Sequence, residues 1–301
     1  MPTNGKWTTE NIPDQSGKIV IVTGANSGIG FEATRALALK GAIVIMACRS
    51  LKKGESAAEQ IRSENPIGQV ILRQLDLADL SSVQQFAGNF RTEYDRLDIL
   101  INNAGVMAIP YQKTVDGFEM QIGTNHLGHF KLTGLLIELL KNTPNSRVVT
   151  ISSYAHLMGR INFNDLNSEK VYQKWLAYGQ SKLANVFFGY ELQRRSARNG
   201  NNPISIVVHP GWAATNLQHT SSFFSFFNPY LAQSQEMGAL PTLYAATSPE
   251  IRGGEYIGPD GFLGQNGYPH KARSSRRSQD ADTAQRLWEI SEELTGIQFR
   301  V

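Results

Sequence analysis

The sequence predicts an α/β fold, a doubly wound parallel sheet of about seven strands with helices on both faces. Three observations carry this expectation. Short runs rich in Val and Ile alternate with longer amphipathic stretches along nearly all of the 301 residues. No internal repeat and no low-complexity linker interrupts the alternation. A glycine-rich turn joins the first apolar run to the first amphipathic stretch, where such folds bind ligands.

The strand candidates follow in order. "KIVIVTG" starts at Lys18, "AIVIMAC" at Ala42, "QVILRQLD" at Gln69, "LDILINNAG" at Leu97, "SRVVTISS" at Ser146 and "ISIVVHPG" at Ile204. They are short and continuous in apolar residues, as parallel strands covered on both faces are. "GEYIGPDG" from Gly254 is a weaker seventh. Helical patterns lie between them, near 28–40, 52–64, 79–94, 115–141, 172–199 and 236–247. Gly41 follows the first of these as a helix stop. The chain therefore reads as one domain: an N-terminal arm over 1–16, then a core over 17–301 with an irregular loop near 212–235.

Composition narrows the function. With 41% hydrophobic and 18% charged residues, the chain can bury a sizeable core. A net charge of +3 is too mild to suggest a nucleic-acid surface. The single cysteine, Cys48, rules out an intrachain disulfide and a cysteine-based zinc cluster. The opening "MPTNGKWTTENIPDQSGK" is polar, without the apolar core of a signal peptide, and no uninterrupted apolar run spans a bilayer. The expectation is a soluble, cytoplasmic protein whose membrane contact is at most peripheral.

"VTGANSGIGFEATRALALKGA" carries the first chemical signal. Gly24, Gly28 and Gly30 permit a tight turn, close backbone approach and close helix packing. The N–H groups that open the helix, from the segment Asn26, Ser27, Gly28, Ile29 and Gly30, suit a pyrophosphate. The turn follows a strand and opens a helix, as a dinucleotide site requires. The second strand ends "MACRS", with Cys48 where an acid would bind the ribose hydroxyls of NAD. Arg49 follows and can pair bidentately with a 2′-phosphate, assisted by Ser50, Lys52 or Lys53. NADP(H) is therefore preferred over NAD(H). After the third strand, Asp76, with Leu77 beside it, is placed to accept from the adenine amino group. In "NNAG", Asn102 and Asn103 can tie neighbouring backbone, and Ala104 and Gly105 leave room for the cofactor.

Tyr178 and Lys182 in "LAYGQSKLAN" stand four residues apart, on one helix face. A cation held beside a phenol favours the phenolate, so the lysine is expected to lower the tyrosine pKa and make it a usable acid or base. Such a pair is also an ordinary helix-surface feature, and the rest of the chain decides between the two.

With "TGANSGIG", "NNAG", "TISS", "YGQSK" and "HPG" in this order, the chain resembles the short-chain dehydrogenase/reductase family, with a Rossmann-type fold, over nearly all of its length. That resemblance implies hydride transfer between a nicotinamide and a carbonyl or alcohol carbon. It also implies roles. Tyr178 would be the acid/base; Lys182 would bind the nicotinamide ribose and depress the Tyr178 pKa. Ser153, rather than Ser152, would hydrogen-bond the substrate oxygen. Asn125, in "GTNHLGHF", would hold a proton-relay water through a local helix irregularity. Pro210 and Gly211 would bound the nicotinamide pocket, and Thr215 would face the carboxamide or pyrophosphate. "ACRS", "NHLGHF", "SKLANV" and the long segment between Ser153 and Tyr178 make the chain similar to the retinol-dehydrogenase-like branch, with the WW-domain oxidoreductase among its relatives. Lipophilic aldehydes, ketones or retinoid-like compounds are the substrates this implies. Protochlorophyllide-type reductases are similar in outline, but Cys48 lies in the cofactor region and leaves no cysteine for a substrate pocket.

Other features invite other readings. His126 and His129 have no carboxylate at zincin spacing, so packing is preferred to a metal site. "KARSSRR", Lys271 to Arg277, reads as a solvated loop before the last helix, with an anionic surface as the alternative. "SSFFSFFNPY", Ser221 to Tyr230, places Phe223 and Phe224 where the family has its substrate loop; core packing, a second subunit, a membrane and an apolar ligand are the alternatives for covering it. An idle NADP(H)-binding redox sensor and a structural subunit compete with the enzyme. The Ser153–Tyr178–Lys182 set favours the enzyme, with a homo-oligomer as an open possibility.

Overall fold

The computed structural model describes residues 6–200, 202–211 and 233–301. Among the described residues, eight strands form one sheet: β1 (Ile19–Thr23), β2 (Ile43–Cys48), β3 (Gln69–Gln74), β4 (Ile99–Asn102), β5 (Arg147–Ile151), β6 (Ile204–Val208), β7 (Tyr256–Pro259) and β8 (Pro269–Lys271). Their order is β3-β2-β1-β4-β5-β6-β7-β8. The first seven run parallel, and β8 returns antiparallel along β7. The eighth strand goes beyond the expected seven. "PHK" has no apolar run, and it is a strand only because the edge of β7 offers it hydrogen-bond partners.

Among the described residues, seven long helices cover the sheet: α1 (Gly28–Leu39), α2 (Leu51–Arg62), α3 (Leu80–Glu93), α4 (Gly128–Asn142), α5 (Lys174–Arg198), α6 (Gln235–Thr247) and α7 (Ala281–Thr295). Alternation along the strands divides the core. Val20, Val22, Val44 and Met46 pack with Leu37, Ile61 and Leu243 of α1, α2 and α6. Ile19, Ile21 and Ile45 pack with Phe86, Phe130, Leu192 and Trp288 of α3, α4, α5 and α7. Successive residues of a strand face opposite sides, so near-continuous Val/Ile runs become two separate cores.

The helix expected over 115–141 begins later. Gly117 has φ +86°, a left-handed conformation that ends any helix there, and Thr114 N–H closes a turn onto the Phe118 carbonyl at 2.8 Å. The helical backbone starts at Met120–Ile122, passes through a π-helical turn over Gly123–Leu127 and continues as α4. β1 has β2 on one side and β4 on the other. The sheet reverses its winding there, and the crevice at the carboxyl ends of β1 and β4 is the topological switch point.

Candidate active site

At that crevice the glycine-rich turn and the "NNAG" turn are built into each other. Gly24 has φ +66° and Gly28 φ +59°. A Cβ on Gly30 would meet Asn103 Nδ2 and the Gly24 carbonyl oxygen, each at 2.5 Å. Asn103 donates from that Nδ2 to the Thr23 carbonyl at 2.8 Å. Thr23 Oγ1 accepts from the N–H groups of Asn103 (2.9 Å) and Ala104 (3.0 Å). Asn102 points elsewhere and donates to Thr133 Oγ1 at 3.1 Å.

The N-terminus of α1 stands open. Ser27 makes no side-chain cap bond and the first turn carries no acid. By contrast, side chains cap α2 (Ser50), α3 (Asp79), α5 (Gln173), α6 (Ser234) and α7 (Asp280). Free N–H groups and an uncompensated helix dipole fit a pyrophosphate. At the end of β2, Cys48 is buried and its thiol is pushed up to about 11 by burial, with the backbone N–H groups of Ala25 and Asn26 pulling the other way. The sulfur thus braces the turn where an acid was expected. Arg49 is exposed beside it, and Ser50 is committed to capping α2 through the Lys53 N–H. Asp76 Oδ1 accepts from the Ala78 N–H at 3.0 Å, and Leu77 is buried.

The second group of residues lies at the ends of β4 and β5. Tyr178 and Lys182 share one face of α5, and both are buried. Lys182 Nζ lies 5.8 Å from the Tyr178 ring centre and donates to the Ile151 carbonyl at 3.2 Å. A Cβ on Gly105 would lie 3.0 Å from Asn125 Oδ1 and 3.5 Å from Lys182 Nζ, so these three residues converge. Ser153 lies two residues beyond the end of β5, and its hydroxyl hydrogen-bonds the Tyr178 phenol. Ser152 Oγ is instead committed to the Lys182 backbone carbonyl at 2.8 Å, leaving Ser153 as the serine that faces the phenol.

The electrostatics differ from the sequence expectation. Burial pushes the Tyr178 phenol up to about 12, only partly opposed by the Ser153 hydrogen bond. Burial pulls the Lys182 ammonium down to about 8. The lysine therefore does not depress the tyrosine pKa in this geometry. Its Nζ is turned to the Ile151 carbonyl, and each charged form is disfavoured by its own loss of water.

Asn125 occupies the π-helical turn, which is the local irregularity that the sequence suggested. Its Nδ2 donates to the Val106 carbonyl (3.0 Å) and Ser181 Oγ (2.9 Å), and its Oδ1 accepts from the Val106 N–H (2.8 Å). The side chain is thus a strut between the loop after β4 and α5. Pro210 offers its carbonyl to Gln233 Nε2 at 2.9 Å, and Gly211 has φ +70° with the Gln265 carbonyl close against it. Thr215, Phe223 and Phe224 lie outside the described residues.

A family profile described as short chain dehydrogenase matches residues 18–223. The chain belongs to the short-chain dehydrogenase family. It is 44% identical over 289 residues to mouse retinol dehydrogenase 12, covering 94% of this chain and 88% of that one. Human retinol dehydrogenase 11 is 44% identical over 290 residues, covering 93% and 86%. Among solved structures, an uncharacterised protein from Mycobacterium paratuberculosis superposes with a TM-score of 0.84 at 46% identity, covering 98% of this chain and 100% of that one. A Shigella flexneri short chain dehydrogenase complexed with NADP shares the fold at a TM-score of 0.66 and 24% identity, covering 81% and 97%. This dehydrogenase is therefore an oxidoreductase of the retinol-dehydrogenase-like kind, acting on CH–OH donors, with a fold that binds a nicotinamide cofactor.

Several supporting residues escape sequence reasoning. Thr23 is the first polar residue after an apolar run, a signal that its hydroxyl has work at the strand end. His129 Nδ1 faces the Asn125 carbonyl at 3.0 Å, and its Nε2 meets Thr23 Oγ1 at 2.8 Å. A carbonyl can only accept, so Nδ1 holds the proton and Nε2 accepts from Thr23. Burial holds this histidine down to about 4, so it is a neutral link between the two turns. His126 bonds Ser291 Oγ of α7 at 2.9 Å and is held down to about 3 by burial. Among the described residues, no three His, Cys, Asp or Glu side chains gather as metal ligands, and no helix is long and apolar enough to cross a membrane.

Proposed function

We propose that this dehydrogenase reduces lipophilic aldehydes or ketones, retinoid-like compounds among them, with NADP(H) in preference to NAD(H). The observation that carries the reading is the Ser153–Tyr178 hydrogen bond with Lys182 Nζ 5.8 Å from the phenol ring and close to the Gly105 backbone, beside the open end of α1. The nicotinamide, when bound, supplies or accepts the hydride. Ser153 then positions the substrate oxygen, and Tyr178, neutral because its pKa is raised, gives that oxygen a proton. Lys182 would hold the nicotinamide ribose when the cofactor binds, and Asn125 keeps the loop after β4 in register with α5. Arg49 supports NADP(H): it is exposed at the end of β2, and no acid stands beside it in "ACRS". Exposed apolar residues directly after Ser153 support a lipophilic substrate: Tyr154 is 42%, Leu157 43% and Met158 52% accessible. The retinol dehydrogenases at 44% identity support the same class. The redox-sensor and protochlorophyllide readings are not favoured.

The test is a carbonyl panel, from small ketones to long apolar aldehydes, assayed with NADPH and NADH. The expected result is reduction of bulky apolar carbonyls with NADPH. Arg49→Ala should weaken NADPH binding by roughly tenfold or more, the loss of a charge-assisted hydrogen-bond pair, and leave NADH nearly unchanged. An equal loss for both cofactors would remove the 2′-phosphate assignment.

A further inference from the structure

The basic run "KARSSRR" does not hang in solvent. Lys271 ends β8 and pairs with Glu255 at 2.7 Å, and the Ala272 N–H donates to the Tyr256 carbonyl at 2.8 Å. Ser274 Oγ meets the Tyr190 hydroxyl of α5 at 2.7 Å. Arg277 Nη1 donates to the Gly159 carbonyl at 2.6 Å. The segment is thus strapped to the turn that follows Ser153 and to the helix that carries Tyr178.

Its link to Ser153 is the ring of His156, which is 2% exposed. Nδ1 lies 2.7 Å from the Ser153 carbonyl oxygen, and Nε2 accepts from the Ser275 N–H at 3.1 Å. A carbonyl only accepts and an amide N–H only donates, so one tautomer satisfies both: the proton sits on Nδ1 and the lone pair on Nε2. Tyr256 packs against the ring at 5.5 Å between centres and stacks in turn on His209 at 5.4 Å. The imidazole is therefore held by two backbone groups of fixed role and by an aromatic layer. Nothing in the proton-transfer chemistry above uses it.

We propose that His156 is a positioning residue that fixes the Ser153 backbone, and with it the hydroxyl facing Tyr178, and that the strap 271–279 holds the ring through the Ser275 N–H. The proposal rests on the reading of Ser153 as the group that contacts the substrate oxygen. The other bonds at Ser153 are local: its carbonyl also accepts from the His156 N–H at 3.0 Å, and its Oγ accepts from the Ala155 N–H at 3.2 Å and starts the short 3-10 helix Tyr154–Leu157, so the ring is what ties this turn to the strap. A shift of its Cα moves the hydroxyl away from the phenol, and small misplacements of a positioning group are expensive in rate.

The experiment exploits the backbone at Ser275, where φ is −61°. Proline fits that angle, so Ser275→Pro removes the N–H with the fold retained. Ser275→Ala keeps the N–H and removes only the oxygen that accepts from Ser278. His156→Phe removes both ring bonds and keeps a ring; His156→Asn keeps a donor near the Nδ1 position. For each, kcat and KM for one accepted aldehyde, NADPH affinity by fluorescence titration and thermal midpoint are measured. The wild-type ring is read by 15N NMR.

H156F should lower kcat about 10–100-fold with NADPH affinity within about twofold, a split that general loosening of the fold would not give. H156N should restore most of the loss, S275P should lower kcat by roughly 3–10-fold, and S275A should stay within about twofold. The double variant H156F/S275P should be no slower than H156F alone, because both cut one linkage. The NMR spectrum should show a protonated Nδ1 and a bare Nε2. Wild-type kcat in both H156F and S275P, or a proton on Nε2, overturns the proposal while the dehydrogenase reading stands. A wild type inactive on every carbonyl overturns the reading of Ser153 and the proposal with it.

Discussion

Two buried titratable side chains set the terms at the scale of single residues. Tyr178 is raised to about 12 and Lys182 lowered to about 8, in both cases by burial. A neutral phenol is the form a proton donor needs, so the raised value serves reduction. Tyr178→Phe keeps the ring and loses the acidic hydrogen. Its turnover should fall by about 10²–10⁴-fold, the usual worth of general acid–base catalysis, with NADPH affinity nearly unchanged. Wild-type turnover in this variant would assign the proton to another group. Lys182 carries a stability cost. Its folded pKa lies below the unfolded 10.5, so between about 8 and 10.5 the unfolded chain binds more protons and stability rises with pH. The penalty is fully present below about 8, where it amounts to roughly 3 kcal/mol before the lost Ile151 hydrogen bond is counted. Lys182→Met, though inactive, should therefore melt higher than wild type at pH 7. That advantage should shrink towards pH 10.5, as urea or thermal unfolding at the two pH values would show. Tyr178 acts in the opposite sense: its folded pKa is raised, so it withdraws stability only as pH climbs from 10 towards 12.

Contact between turns dominates at the scale of elements. The glycine pattern of "TGANSGIG" reads as room for a cofactor, and the structure adds a second demand. Gly30 lies under the Asn103 side chain, which pins the loop after β4 to the end of β1. Alanine is the better helix former by about 1 kcal/mol, so propensity alone predicts that Gly30→Ala stabilises α1. Its Cβ would meet Asn103 Nδ2 and the Gly24 carbonyl oxygen at 2.5 Å, and neither can yield without breaking the turn. Overpacking should win, costing about 1–3 kcal/mol and weakening cofactor binding, both measurable in one titration and one melt. A more stable, fully binding variant would show that the two turns are less tightly joined.

Seen as a whole molecule, the chain closes its own helical face with its C-terminal part. Trp288 of α7 is 2% exposed and packs on Phe130 (5.1 Å), Phe188 (5.8 Å) and Phe299 (4.5 Å), with the Arg195 guanidinium 4.4 Å from its ring centre. His126, from the π-helical turn, reaches the same helix through Ser291. The last helix is therefore part of the core behind the site. Trp288→Ala should cost about 3–5 kcal/mol of stability, the range for removing a large buried aromatic side chain. The folded fraction should keep its KM, because the ring contacts of Trp288 are with Phe130, Phe188 and Phe299, which belong to the core behind the site. A urea midpoint unchanged from wild type would place α7 outside the cooperative core.

The sequence by itself determined the alternation of strands and helices, because buried parallel strands and amphipathic helices leave distinct periods that need no partner to be read. It also determined which residues could carry the chemistry. Glycines beside a strand end, a Tyr and Lys on one helix face, and a serine just after β5 are legible as types and spacings. The tertiary structure decided what those side chains experience. Whether Lys182 tunes Tyr178 depends on where Nζ points and how much water is lost, and neither leaves a mark on local spacing. The late start of the helix before Asn125 came from the left-handed Gly117, which a helical period cannot register. The links that hold the site run from Thr23 to Asn103, 80 residues apart, and from His156 to Ser275, 119 apart. β8 and the basic strap exist as structure only because β7 and the serine turn are there to pair with them. Period and composition are local properties of a chain. Burial, hydrogen-bond partners and pKa are set by whatever folding brings alongside.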